Sequence, residues 1–221
     1  MGSFLAPSTH SHCSVTSLVA GVDEAGRGCL AGPVVAACVA FASDTGDNIE
    51  SQDIALPVFI RDSKKVTPVQ REHACRWIYR HARVVAVGLA TVDEIERLNI
   101  LQASLLAMRR AVQSAEHPPQ LVLIDGAHVP DGLPCPARAV VDGDAHVPVI
   151  SAASIVAKVV RDHLMLQLHC LYPQYGFAQH KGYSTPQHRL AIAQFGLCPQ
   201  HRRSFCREAL RLPFGDGDAS S

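Results

Sequence analysis

The sequence predicts an α/β fold: a mixed five-stranded sheet flanked by helices, with a small helical part at its C-terminal end. Three observations carry that prediction. Five short apolar runs, mostly rich in β-branched residues, read as strands. The early strands follow one another closely while the later ones alternate with helical stretches, the order expected of a mixed sheet. Helix starts are marked by Ser/Thr caps and by prolines at first helical positions.

The strands and helices follow in order. "SLVAGVD" and "PVVAACVAF" are adjacent antiparallel strands separated by a glycine loop. Residues 43–52 are polar turn material, and "RDSKK" follows. Thr67, Pro68 and Gln70 then open a helix over "TPVQREHACRWIYRHA". "RVVAVGLA" is the third strand. Thr91 and Glu94 form a second capping box, opening a helical region that Asn99 interrupts and that runs to about Ser114. "LVLIDG" and "ARAVV" read as short buried strands joined by a proline-rich loop. "SAASIVAKVVRDHLMLQLHC" is a long helix with Ile155, Val159 and Leu166 near helical spacing. A further helix starts at Thr185 and Pro186 and closes near Gly196. The final segment from "LCPQHRRSF" reads as a small addition with a frayed tail. The domain plan is an arm over residues 1–17, one domain over 18–206 and a tail over 207–221.

Composition narrows the class. At 221 residues, 48% of them hydrophobic, the chain can bury one sizeable core, which argues against disorder. Lysine plus arginine and aspartate plus glutamate are 20 each, so a polyanionic partner would need a local basic patch. Eight scattered cysteines without a C-x-x-C pair point to neither zinc nor a disulfide framework, and so to a reducing cytosol. The N-terminus lacks a basic region ahead of an apolar block, and Ala6 stands where myristoylation wants Ser or Thr. The longest nearly apolar run, 13 residues broken by Gly-Pro, is too short to cross a bilayer. A cytoplasmic protein is expected, with no membrane association.

Four acids sit where strands end. Asp23 and Glu24 end the first strand, Asp125 closes "LVLID", and Asp144 lies in "VVDGDAHVP" ahead of the long helix. Carboxylates brought together repel unless neutralised, and hard divalent ions neutralise them with oxygen ligands alone. Such a cluster without a His/Cys set suits phosphoryl transfer, where two ions roughly 3.5–4 Å apart clamp the scissile phosphate. Neighbouring strand residues point to opposite faces, so Asp23 and Glu24 share a site only if the chain bends there; Gly26 and Gly28 favour a bend. Taken alone, Asp125 before a glycine is more often a turn residue than a ligand. A rival reading is excluded. "GRGCLA" matches a relaxed dinucleotide fingerprint, but a strand follows it where a helix is required, and the two carboxylates before it would repel a pyrophosphate.

Here the sequence resembles a known family. "GVDEAGRGCLAGPVVAACV" is similar to the N-terminal signature of the type 2 ribonucleases H, most closely bacterial ribonuclease HII. "RDSKKVT", "NILQASLLAMRRAV", "LVLIDG", "GDAHVPVISAASIVAKVVRD", "HKGYSTPQH" and "CPQHRRSF" resemble the remaining blocks in the family's order, spanning about residues 18–206. The resemblance implies a ribonuclease-H-like fold and a metal-dependent endonuclease, using Mn²⁺ or Mg²⁺, with two divalent ions during catalysis. It implies cutting of the RNA strand of RNA–DNA hybrids and at single ribonucleotides embedded in duplex DNA, leaving 3′-hydroxyl and 5′-phosphate ends. Asp23, Glu24, Asp125 and Asp144 would be catalytic acids and ion ligands. Gly26, Arg27 and Gly28 would read the ribose 2′-hydroxyl through backbone groups, and Tyr183 would stack near the sugar on the DNA side of the junction. One departure stands out: Asp142-Gly143-Asp144 replaces the family's common Lys-Gly-Asp. Either Asp142 or Asp144 could be the fourth ligand, and Asp144 is taken because its distance to "ISAAS" matches.

The 2′-hydroxyl is the group that tells RNA from DNA at one nucleotide, and glycines permit the close backbone approach that reads it. Phosphate contacts are expected from Lys64 and Lys65, which cluster with Arg61, and from Lys181, which clusters with His180, His188 and Arg189. His201, Arg202 and Arg203 form a third basic group. Lys158 is either a phosphate contact or the partner of Asp162 one turn on, and the ion pair is the plainer reading. His128 is the one histidine placed to assist proton transfer near Asp125. No protein partner is required, and a monomer is expected. Two alternatives remain: a non-catalytic hybrid-binding module of the same fold, and another metal nuclease such as a resolvase.

Overall fold

The computed structural model describes residues 18–42 and 67–210, with backbone only at 208–210. The proposed arm, residues 211–221 of the tail, and Arg61, Lys64 and Lys65 lie outside the described residues. The strands are β1 (Val19–Ala25), β2 (Val34–Ala40), β3 (Val84–Ala90), β4 (Leu121–Asp125) and β5 (Ala137–Val140). They form one sheet in the order β3-β2-β1-β4-β5. β1 pairs antiparallel with β2 and β2 with β3, while β4 runs parallel to both β1 and β5.

The helices are α1 (Pro68–His81), α2 (Val92–Leu98), α3 (Ile100–Gln113), α4 (Gly143–His146), α5 (Pro148–Leu171), α6 (Phe177–His180), α7 (Pro186–Phe195) and α8 (Arg203–Leu210). Both expected capping boxes form: Thr67 and Gln70 exchange bonds at the start of α1, as do Thr91 and Glu94 at α2. Asn99 breaks the helical region as its sequence suggests. It takes φ 71°, a left-handed value that ends α2, and its carboxamide caps Gln102 at the start of α3.

Strand alternation assigns the two faces. Ala20, Val22, Ala36, Cys38, Val122 and Ile124 pack with Ala103, Ala107 and Met108 of α3. Ala37 and Val39 pack on the opposite face with Ile78 of α1 and Val149, Ala152 and Ile155 of α5. β2 is buried throughout and β1 through Asp23, as central strands covered on both faces should be. α5 approaches β1 so closely that a Cβ at Gly21 would stand 2.2 Å from the Val149 carbonyl carbon. Among the described residues, no helix is long and apolar enough to cross a membrane.

Four local expectations need correction. β5 is not buried: it is an edge strand of half-buried residues with Arg138 exposed, because only β4 covers its flank. Leu166 is exposed, and Met165 takes the inward place on α5. Asp144 lies not at a strand end but in the single turn of α4. The segment around Cys198–Arg202 is no loose addition. It folds back onto the loop between β1 and β2, with Arg202 N–H donating to Leu30 O (2.7 Å) and Gly32 N–H to Gln200 O (2.8 Å).

Candidate active site

β1 and β4 pair from Val19–Leu121 to Val22–Ile124. Continuing that register by one residue sets Asp23 level with Asp125, both on the face that α5 covers. Asp23 is 5% exposed, and its carboxylate is hydrogen-bonded by Ser154 of α5. Asp144, also buried, donates its backbone N–H to Asp125 Oδ1 (3.2 Å). Asp142 is exposed, at φ 54°. Of the two candidates for a fourth carboxylate, Asp144 is therefore the one that α4 brings to Asp125.

The expected bend between Asp23 and Glu24 is absent. β1 runs regularly through both, opposite Ala37 and Ala36, and the glycine turn begins only after Ala25. The two carboxylates meet the same neighbour by another route. Pairing between β1 and β4 stops at Val22, so beyond it the sheet is open and Glu24 can reach the gap from its own side.

Charge is crowded here. Burial pushes the Asp23 carboxyl well above the usual carboxylate range, and the nearby Glu24 and Asp125 charges add to the rise. Burial also raises Glu24; Asp125 adds to that shift and Arg27 opposes it. The Arg27 guanidinium donates to Glu24 Oε1 at 3.2 Å, so a side-chain cation sits on one of these carboxylates.

A cleft of about 220 Å³ opens beside Glu24, lined by Gly26, Arg71, Ser154, Lys158 and Tyr183 among others. Of the four acids only Glu24 lines it, so Glu24 links the carboxylates to open space. Tyr183 is 42% exposed, its ring beneath the Lys158 ammonium (5.4 Å), and its hydroxyl bonds the Cys29 thiol. Lys158 also holds Asp162 at 2.6 Å, so the ion pair and a place in the cleft coexist. Lys181 turns its ammonium back onto the Ala178 carbonyl. His128 is exposed.

The two glycines of the loop differ. Gly26 is buried at φ 100°, and a Cβ there would lie 1.9 Å from Arg161 Nε, so the fold requires it. Gly28 is exposed, has no left-handed φ, and a Cβ on it would meet nothing within 4 Å. The folded chain gives no reason for glycine at 28.

Four members of two expected basic groups turn inward, while Lys181 and Arg189 are half-buried and Arg203 is exposed. His188, His201 and Arg202 are 2% exposed or less, and His180 is buried too. His188 Nδ1 lies 2.9 Å from Tyr183 O, which can only accept, so that nitrogen carries the proton. Its Nε2 then accepts from His201 Nε2 (3.1 Å), and His201 Nδ1 accepts from Cys198 N–H (3.0 Å). The rings are neutral, and burial holds both His188 and His201 down to about 4. His188, His201 and Arg202, which look like surface charge in the sequence, are internal braces.

Ser154, Arg71 and Arg161 have no place in the sequence reading of the site, and Arg202 enters it only as one member of a basic group. An arginine inside the apolar run "IVAKVVRDHLM" was the one available signal for Arg161.

Asp23, Glu24, Asp125 and Asp144 offer an all-oxygen donor set suited to a hard divalent ion. Among the described residues, no group of three or more His, Cys, Asp or Glu side chains could hold an ion as it stands. Mg²⁺ does not need a closed cage, since one or two carboxylates with substrate phosphate oxygens suffice. The mutual repulsion of Asp23, Glu24 and Asp125, and the guanidinium resting on Glu24, fit a site made for positive charge.

Comparison with known proteins gives the family and the fold. The family model for ribonuclease HII matches residues 20–208. The chain is 53% identical over 188 residues to ribonuclease HII of Polaromonas sp. (strain JS666), covering 85% of this chain and 89% of the relative. It is 51% identical over 199 residues to that of Verminephrobacter eiseniae, covering 90% of each. Its structure is similar to the crystal structure of ribonuclease H2 from Pyrococcus horikoshii OT3, with TM-score 0.68 and 31% identity, covering 87% of this chain and 96% of the other. It also resembles Bst-RNase HIII in complex with Mn²⁺ (TM-score 0.66, 18% identity, covering 90% of this chain and 71% of the other), a likeness of fold alone. With the ribonuclease H sheet in place and the match running from β1 to α8, this chain belongs to the ribonuclease HII family.

Proposed function

We propose that this endoribonuclease cuts the RNA strand of RNA–DNA hybrids and cleaves at single ribonucleotides embedded in duplex DNA, leaving 3′-hydroxyl and 5′-phosphate ends. Asp23, Glu24, Asp125 and Asp144 hold divalent ions, Mn²⁺ or Mg²⁺, with the substrate. When bound, these ions activate a water, neutralise the phosphate and stabilise the leaving oxygen. The chain's own residues do the rest. Ser154 fixes the Asp23 carboxylate, and the Asp144 amide fixes Asp125. Arg27 rests on Glu24 until a stronger cation replaces it. Lys158 and Arg71 supply positive charge along the cleft, and Tyr183 offers a ring face to a sugar.

The observation that carries this reading is the shared cleft. Glu24, Gly26 at the head of the glycine loop and Tyr183 line it together, so a phosphodiester at the acids sets its ribose beside the loop. The glycine at 28, unneeded by the fold, suits close approach of a ligand.

The test compares an all-DNA duplex with one holding a single ribonucleotide, in Mg²⁺, in Mn²⁺ and with chelator. Cleavage of the ribonucleotide duplex alone, lost with chelator, is expected. Cleavage of both would indicate a general metal nuclease, and binding without cleavage a hybrid-binding module. In the same assay Gly28→Ala should keep the wild-type Tm and lose at least about tenfold in kcat/KM, a 1.4 kcal/mol effect. Unchanged kinetics would remove the loop from the recognition site.

A further inference from the structure

The loop between β1 and β2, residues 26–33, is held from two sides by arginines that are both 0% exposed. Arg202 donates to Gly26 O (2.8 Å), Arg27 O (2.8 Å) and Gly32 O (2.8 and 3.0 Å). Arg161 donates to Ala31 O (3.0 Å), Pro33 O (3.0 Å) and Lys181 O (2.9 Å). Each guanidinium is thus spent on main-chain carbonyls.

A trans peptide is planar, and its N–H points opposite to its C=O. Drawing the Gly26 carbonyl inward therefore turns the Arg27 N–H outward. Drawing the Arg27 carbonyl inward does the same to the Gly28 N–H. Arg27 and Gly28 are exposed, whereas Gly26, one residue earlier, is buried and lines the cleft. Two successive main-chain donors facing away from the protein make a small concave site for an oxygen atom.

We propose that Arg202 is a positioning residue for ribose selectivity: it sets the Arg27 and Gly28 N–H groups as a donor pair for the 2′-hydroxyl. Arg161 ties the same loop to Lys181, two residues before Tyr183, so both parts of sugar recognition are held in one frame. Leu30 N–H donating to Gly182 O (2.8 Å) and the His201–His188–Tyr183 chain brace that frame further. This inference rests on the ribose reading given above.

Arg202→Lys tests it, because lysine keeps the charge but cannot make the planar fork. Binding and cleavage are measured on the single-ribonucleotide duplex and the all-DNA duplex, with Tm followed in parallel. The expected result is at least a tenfold fall in the ratio of affinities, taken from the ribonucleotide duplex while all-DNA binding stays constant. Gly28→Ala should reduce the same ratio. A folded Arg202→Lys protein whose ratio stays within twofold of wild type overturns the proposal. If that variant does not fold, the unmodified protein decides. Its Arg27 and Gly28 N–H groups should have NMR order parameters near about 0.85, and values below about 0.6 overturn a preset donor pair. An unmodified protein that binds both duplexes alike defeats the ribose reading itself. Discrimination kept by Arg202→Lys defeats only the role of Arg202.

Discussion

Two groups of buried charge flank the same loop, and they are built in opposite ways. At the end of β1, Asp23 and Glu24 raise each other's energy with Asp125, and Asp23 has only a serine hydroxyl and a neighbouring amide to offset its burial. Against the loop that follows, Arg161 and Arg202 are buried as deeply, yet donate throughout to carbonyl oxygens. Burying a charge is costly unless hydrogen bonds replace lost water. The arginines meet that condition within the fold, whereas at Asp23 burial and the neighbouring charges outweigh its hydrogen bonds and hold the carboxyl high. The lesson is that the unsettled charge marks where a ligand acts, and the settled charge marks what holds that place still.

The largest break in this contrast comes from removing an acid. Asp23→Asn or Asp125→Asn should lower cleavage by at least about a thousandfold, the scale of losing a group that stabilises transition-state charge. Tm should not fall, because repulsion is relieved. Mn²⁺, which should raise the Tm of the unmodified protein by mass action, should raise that of the variant less. Retained cleavage would count heavily against the acids.

The settled side breaks differently. Gly26→Ala should cost about 2–5 kcal/mol, summing overpacking against Arg161 and a left-handed Cβ. In thermal melts that is a fall of roughly 4–20 °C for a chain of this size. A fall of less than a degree would mean that Arg161 is not fixed against the loop.

Acid titration separates the two groups by sign. His188 and His201 titrate near 4 in the fold and near 6.5 when unfolded. The unfolded chain therefore takes protons that the native state refuses. Their contribution is present above pH 6.5 and is lost as pH falls through about 4. Asp23 works the other way. Its raised pKa lets the native state protonate first, so acid favours folding there. Asp23→Asn should therefore lose Tm more steeply than the unmodified protein between pH 6.5 and 4, with chelator present. A shallower loss would reverse the assignment.

The smallest expected effect sharpens the boundary between support and contact. Lys158 and Asp162 form an i,i+4 pair worth about 0.3–0.5 kcal/mol. Lys158→Met should move Tm by about two degrees or less. If the cleft carries the phosphate backbone, the same change should reduce the salt slope of binding by about one. An unaltered slope would leave Lys158 with its intrahelical role alone.

Much of the frame was legible in the chain. The capping residues Thr67 and Thr91, the break at Asn99 and the antiparallel pair around the glycine loop follow from local rules that the fold obeys. The acids were legible as types and positions, since Asp23 and Asp125 close strands that pair. Their convergence was not: the expected kink at Asp23–Glu24 stood in for an end of strand pairing that only the assembled sheet supplies. The basic residues misled for a related reason. "CPQHRRSF" and "HKGYSTPQH" read as exposed charge because composition does not say which way a histidine or arginine faces. Arg202 faces inward because carbonyls 170 to 176 residues away await it. Likewise Leu166 and Met165 are adjacent, and helical period alone does not choose between them.

The contact at Gly21 has a consequence for how this protein can change over time. Where β1 meets the start of α5, main chain abuts main chain with no room for even a methyl group. The spacing between the strand bearing Asp23 and the helix bearing Ser154 is thus fixed by a hard stop, not by the volume of the side chains around it. Aliphatic residues elsewhere in the interior can be exchanged in families of compensating variants while Asp23 and Ser154 keep their alignment.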